Sequence, residues 1–182
     1  MAGAAHLGVA LAAKRLSPRT PLWLLVVSSY AIDIVFMAFM AAGKEHMPKR
    51  AARSEAQPNA GSAPESAATA VTTNPWSHGL AMALVWTGLF TVLATQLSRD
   101  RRTGALVGAL VFGHWLVDLV TKPMTGVFPG DTGLPLLLEG SPTVGLGLYR
   151  SRKVANAVEY GSLALGAAIY AQTVLQERAH RD

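Results

Sequence analysis

Apolar residues gather into four long runs, at 21–42, 78–97, 104–121 and 155–175. At ~1.5 Å of rise per residue, a helix of ~20 residues crosses a ~30 Å hydrocarbon core. A soluble bundle of four such helices would carry a polar stripe along each one. The run 78–97, HGLAMALVWTGLFTVLATQL, has almost none. The pattern therefore predicts an all-α fold: a polytopic membrane helical bundle with four transmembrane helices. The chain, 1–182, reads as a single membrane domain.

A shorter apolar stretch, GAAHLGVALAAKRL at 3–16, precedes these runs. It is too short for a comfortable span and predicts a short N-terminal helix, either packed inside the bundle or lying at the interface. Ser17-Pro18-Arg19-Thr20-Pro21 reads as a tight turn, with Pro21 the first residue of the next helix. Residues 43–77 form a long polar connection. Its stretch AARSEAQPNAGSAPESAATAVTT is too poor in large apolar residues to bury a core and predicts a disordered loop. Asn74 and Pro75 supply a cap and a first-turn residue for the second run. Residues 122–153 hold four prolines, Pro123, Pro129, Pro135 and Pro142. With a turn signal at Phe128-Pro129-Gly130-Asp131, they predict an ordered loop.

Mean hydropathy is only +0.30 because the polar connection dilutes the average, and 15% of residues are charged. The net charge is +5. The basic residues cluster at helix ends: Lys14, Arg15 and Arg19; Arg99, Arg101 and Arg102; Arg150, Arg152 and Lys153. That placement fits anchoring against lipid head groups, so membrane lipid is the expected partner and nucleic acid is not. The groups divide about evenly between the two sides and give no orientation. Cysteine is absent, which excludes disulfides and thiolate metal sites. The first residues lack the pattern of a cleaved signal peptide, so the first membrane segments are expected to insert and stay.

The chemistry lies in ionisable residues inside the apolar runs. His114 and Asp118 are four apart and share one helix face. Such groups are expensive in lipid and should face the protein interior and a partner. Counted at ~1.5 Å per residue from the side holding 17–20 and 98–103, His114 lies ~15 Å deep, Asp118 ~21 Å and Asp33 ~18 Å. If 3–16 folds back as a hairpin, His6 lies ~15 Å deep; His78 and Glu159 come out at ~28 and ~25 Å. Ionisable groups from five segments thus fall in one layer. Two readings of this layer are open. In one, the groups hold a divalent cation, the most compact partner for stacked His and Asp side chains. In the other, they form a hydrogen-bonded network that only locks helices together: Asp33 with Ser29 or Tyr30, Glu159 with Arg152 or Lys153, His6 and His78 at interfaces. Asn156 is a weaker candidate. His46 and His180 lie in polar segments and read as solvated.

In order, the chain carries HLGVALAAKRLSP, AID at 31–33, NPWSHGLAMALVW, FGHWLVDLVTKP and VGLGLYRSRKVANAVEYGSLALGAAIY. This series resembles the YdjM-like group of bacterial inner-membrane proteins, described as membrane-bound metal-dependent hydrolases, over nearly the whole chain except 43–73. The resemblance implies a metal-ligand set of His6, Asp33, His78, His114 and Asp118, with Glu159 as a further acidic member. The chain departs from the group at Lys122, where many relatives carry a His, and at Gly79, where a Ser is common.

An open His/Asp site suits Zn²⁺ best, with Mn²⁺ or Mg²⁺ also admitted by a carboxylate-rich set. Glu159, near the layer's outer edge, is the candidate general base or an outer partner that orients the ligands. A layer near the head groups points to a lipid-like ester or phosphoester as substrate. No nucleophile-elbow motif is present, which argues against a serine hydrolase. The competing class is a non-enzymatic membrane protein, a small transporter or a scaffold. No internal repeat favours a transporter.

Overall fold

The computed structural model describes residues 3–46, 74–128 and 131–179. The predicted disorder within the polar connection therefore falls, for 47–73, outside the described residues, as does His180. The described residues form α1 (Gly3–Ala13), α2 (Leu22–Ser29), α3 (Ala31–Ala41), α4 (Pro75–His78), α5 (Leu80–Ser98), α6 (Arg101–Thr121) and α7 (Arg152–Ala179). A small hairpin, β1 (Leu134–Pro135) and β2 (Thr143–Val144), and a 3₁₀ turn at Leu148–Arg150 lie between α6 and α7.

Two helices, α5 and α6, are long and apolar enough to cross a membrane; α2 and α3 add a third span if the bent pair is counted as one. The fourth expected span, α7, has the length but not the hydropathy of the others. The surface supports a lipid environment for the rest. Leu84, Val85, Leu89, Val92, Leu93 and Leu97 all stand exposed on α5, and Trp23, Ile34 and Met37 on the bent pair. A water-facing domain rarely shows so continuous an apolar surface.

α6 is the central helix. Val107, Val111, His114, Trp115, Asp118 and Thr121 recur at helical spacing and are all buried. Its start is capped by Asp100, whose carboxylate accepts from the Arg102 and Thr103 N–H groups and the Thr103 hydroxyl. The hydroxyl bond first, then the backbone bonds, holds that carboxyl below the usual range. α5 lies against α6 through Gly104 and Gly108, which face Thr95 and Thr91. Small residues four apart let two apolar helices come close where lipid offers no hydrophobic drive.

The 21–42 run is not one straight helix. It breaks at Tyr30 with a bend of 56°. Neither Pro nor Gly causes the bend; Ser28 back-bonds to the Leu24 carbonyl at 2.6 Å, a pairing that bends helices. Pro21 sits just outside α2 rather than as its first residue.

The N-terminal helix packs inside the bundle. α1 lies against α2 and α7, with Ala5, His6, Gly8, Ala10 and Ala13 buried. A Cβ on Gly8 would overlap the Ser162 carbonyl, and one on Gly166 the Gly8 carbonyl, so both positions need glycine.

Candidate metal centre

Five side chains meet where α1, α3, α4 and α6 converge. His6 Nε2 lies 3.5 Å from Asp118 Oδ1. His78 Nε2 lies 3.5 Å from Asp33 Oδ1 and 3.7 Å from Asp118 Oδ2. His114 Nε2 lies 3.8 Å from Asp33 Oδ1 and 4.0 Å from Asp118 Oδ2. The His6 and His114 rings stack at 3.8 Å, and His78 meets His114 edge-on. Four of these residues are buried; the Asp33 side chain, 13% exposed, is the open side of the cluster.

Each histidine is aimed by its backbone or its neighbours. His114 Nδ1 lies 2.8 Å from the Ser29 carbonyl, which only accepts, so Nδ1 carries the proton and Nε2 presents a lone pair to the carboxylates. The break at Tyr30 sets that carbonyl in place. The same Ser29 donates its hydroxyl to the His6 carbonyl at 2.7 Å, and the Tyr30 hydroxyl donates to the Gly3 carbonyl, so the bend anchors α1 as well.

His78 does not begin the long helix, as the apolar run implied. It ends the one-turn helix α4, and an extended Gly79 separates it from α5. A Cβ on Gly79 would stand 2.5 Å from the Pro75 carbonyl oxygen and 2.7 Å from that of Leu137, so a Ser there would clash. Three side chains, through four hydrogen bonds, hold His78 and the turn that carries it. Glu45 Oε1 accepts from the Trp76 and Ser77 N–H groups at 2.8 and 3.0 Å; Trp115 Nε1 donates to the His78 carbonyl at 3.0 Å; Ser77 Oγ lies 2.7 Å from His78 Nδ1. Asn74, the expected cap, makes no side-chain bond to the helix start. Glu45 takes that role from outside the local sequence, where no capping pattern could reveal it.

Glu159 stands apart. Its carboxylate accepts from the Ala5 N–H at 2.8 Å and from the Tyr149 hydroxyl at 2.9 Å, and it forms no ion pair with Arg152 or Lys153 among the described residues. Burial, together with this hydrogen bond, pushes the Tyr149 phenol well above its ordinary range. Glu159 lies on the wall of a cavity of about 530 Å³ with Tyr149, Arg152, Asn156, Met124 and Phe128. His46 is exposed, as expected.

Lys122 belongs to the cluster. Its Nζ lies 2.9 Å from Asp118 Oδ2, closer than any histidine nitrogen comes to a carboxylate. The i,i+4 spacing from Asp118 carried this signal in the sequence.

The donor set fits a divalent cation. Four of its atoms, Asp33 Oδ1, His78 Nε2, His114 Nε2 and Asp118 Oδ2, lie 3.5–4.0 Å apart along the four His–Asp edges. Two triads, one of His6, His114 and Asp118 and one of Asp33, His78 and His114, each bring three ligand atoms within 4.8 Å of one another, close enough to share an ion. His6 Nδ1 and Nε2, His114 Nε2 and Asp118 Oδ1 are buried with no hydrogen-bond partner. Orphaned polar atoms in a core cost about 1–3 kcal/mol each, and an ion held by His6, His114 and Asp118 would engage one ligand atom of each residue.

The architecture and site define a mostly helical chain with apolar candidate spans and a buried His/Asp cluster able to take a metal ion. No family model, curated protein or solved structure matches it.

Proposed function

We propose that this chain is a membrane-bound, metal-dependent hydrolase of the YdjM-like type, seated in a bacterial inner membrane. Zn²⁺ is the first choice of metal, and the substrate is a lipid-like ester or phosphoester. One observation carries the reading: His and Asp side chains from four elements converge with nitrogen and oxygen atoms 3.5–4.0 Å apart, and those of His6, His114 and Asp118 include buried atoms without hydrogen bonds. In this reading α2–α3, α5, α6 and α7 are the four crossings. Asp33, His78, His114 and Asp118 hold the ion, and His6 completes the set through Asp118 Oδ1. The ion would supply Lewis-acid polarisation of a phosphoryl or acyl oxygen and a bound water acidified to a pKa of about 7. The protein's part is orientation. Ser29 fixes the His114 tautomer, and Glu45 and Trp115 fix His78, as outer partners of metal ligands do. Glu159, with both oxygens engaged, fixes the start of α1 and through it His6, the positioning role that is one of the two the sequence suggests. Asp33, the least buried member, marks the side from which substrate enters.

The alternative is a structural network without metal, and two substitutions separate them. Asp118→Asn and His114→Ala should each strip metal from detergent-purified protein while the fold survives, and Glu159→Gln should strip less. A structural network makes Asp118→Asn mild, since an amide still hydrogen-bonds. Metal retained at the wild-type level in Asp118→Asn would disprove the assigned site.

A further inference from the structure

Lys122 follows the last turn of α6 and reaches back to Asp118. Its side chain is 16% exposed and that of Asp118 3%, so the pair is nearly shut off from water. The ammonium chooses Oδ2, the same oxygen that faces His78 and His114 at 3.7 and 4.0 Å. The Asp131 and Asp33 carboxylates also act on this ammonium. An ammonium has three donors and no lone pair, so it cannot ligate a metal ion. It can only share an oxygen with one, and two cations on one oxygen repel strongly where water is scarce.

We propose that Lys122 is the resident counter-cation of this site: it holds Asp118 while no divalent ion is bound and competes with that ion for Asp118 Oδ2. The inference rests on the metal reading above. The Asp33 and Asp118 carboxylates bring two negative charges to the cluster. Lys122 offsets one of them, so the metal-free protein can fold and persist. A divalent ion then over-compensates the remaining charge. Lys122 thereby weakens metal binding in exchange for a stable empty state, and the site loads only where metal is plentiful.

The test uses the full chain in detergent, stripped with chelator and titrated with Zn²⁺ alone by calorimetry, with thermal unfolding measured in parallel. Lys122→Met should bind Zn²⁺ about tenfold tighter or more, from the repulsion removed. It should melt lower than wild type without metal and gain more on adding Zn²⁺. Lys122→Arg, which keeps the charge, should stay within about threefold of wild type. Should Lys122→Met not fold, Lys122→Gln replaces it, since its amide still donates to Asp118. Unchanged affinity in the neutral variant overturns the inference, because the ammonium then plays no part. Weaker affinity also overturns it, because Lys122 then positions Asp118 for the metal. In both cases wild type still binds Zn²⁺ and the metal reading stands. Absence of Zn²⁺ binding by wild type removes the metal reading, and this inference with it.

Discussion

Glu45→Ala should destabilise the protein far more than a residue at the edge of a polar connection ordinarily would. The Glu45 side chain is buried, 2% exposed, and one of its oxygens accepts both the Trp76 and the Ser77 N–H. Hydrogen bonds to a charged group contribute about 1.5–3 kcal/mol each, and loss of a helix cap costs about 0.5–2 kcal/mol. The two ranges overlap because the bonds are the cap. The other oxygen, Oε2, is buried without a partner, and its removal offsets part of the loss. A net of about 2–4 kcal/mol follows, or roughly 5–15 °C in melting temperature for a chain of this size. Glu45→Gln keeps an acceptor and should lose about 1 kcal/mol. Thermal unfolding in one detergent, with matched wild type, reads both. The effect should reach the site as well: among the described residues α4 has no other side-chain cap, so a frayed Trp76–Ser77 turn loosens His78 and weakens Zn²⁺ binding in Glu45→Ala. A melting temperature within about 1 °C of wild type would refute the reasoning, for Glu45 would then not hold α4.

Gly8→Val should disrupt the α1–α7 contact, because a side chain there meets the Ser162 backbone, which cannot yield as a flexible side chain would. The expected result is a loss of about 2 kcal/mol or more, or failure to fold, seen as early elution or aggregation in size-exclusion chromatography; an unaltered profile and melting curve would contradict the packing. The four-crossing arrangement puts the α6 start and the α7 start on opposite faces. Single cysteines at Arg101 and Arg152 should therefore react with an impermeant thiol reagent from opposite sides of sealed vesicles. Labelling of both from one side would remove that topology.

Much of the site was legible because helical spacing and membrane depth constrain each other. His114 and Asp118 share a face at i and i+4, and the depth count brought Asp33 and His6 to the same layer without any structure. The count assumes that 3–16 folds back against the 21–42 run as a hairpin, and the hydrogen bonds from Ser29 to the His6 carbonyl and from Tyr30 to the Gly3 carbonyl hold α1 against that run. His78 came out deeper in the count than its contacts require, because the count treated 78–97 as one helix. The extended Gly79 lets the chain turn, and it brings His78 down onto Asp33 and Asp118. Apolar periodicity cannot register one extended residue between two helical segments. The bend at Tyr30 was hidden for a related reason. No Pro or Gly marks it, and the Ser28 back-bond that accompanies it competes with the helix only in context. Glu45 carries no local signal of its role. Its partners are about thirty residues away, and a carboxylate in a polar stretch reads as solvated until a distant helix end is found to need it. Lys122 departs from the resembled pattern, yet its i,i+4 spacing from Asp118 already allows the pair.

The metal content of wild-type protein tests the central claim most directly. The chain would be purified in detergent without chelators and measured by elemental analysis against protein concentration, then melted with and without added Zn²⁺. The account predicts close to one equivalent of a divalent transition metal per chain. After stripping, Zn²⁺ at a hundredfold excess over its dissociation constant should stabilise the fold by about 2.7 kcal/mol, several degrees in melting temperature. Well under one equivalent of any such metal, with a melting temperature unmoved by Zn²⁺, would contradict it and leave the five side chains as a structural network.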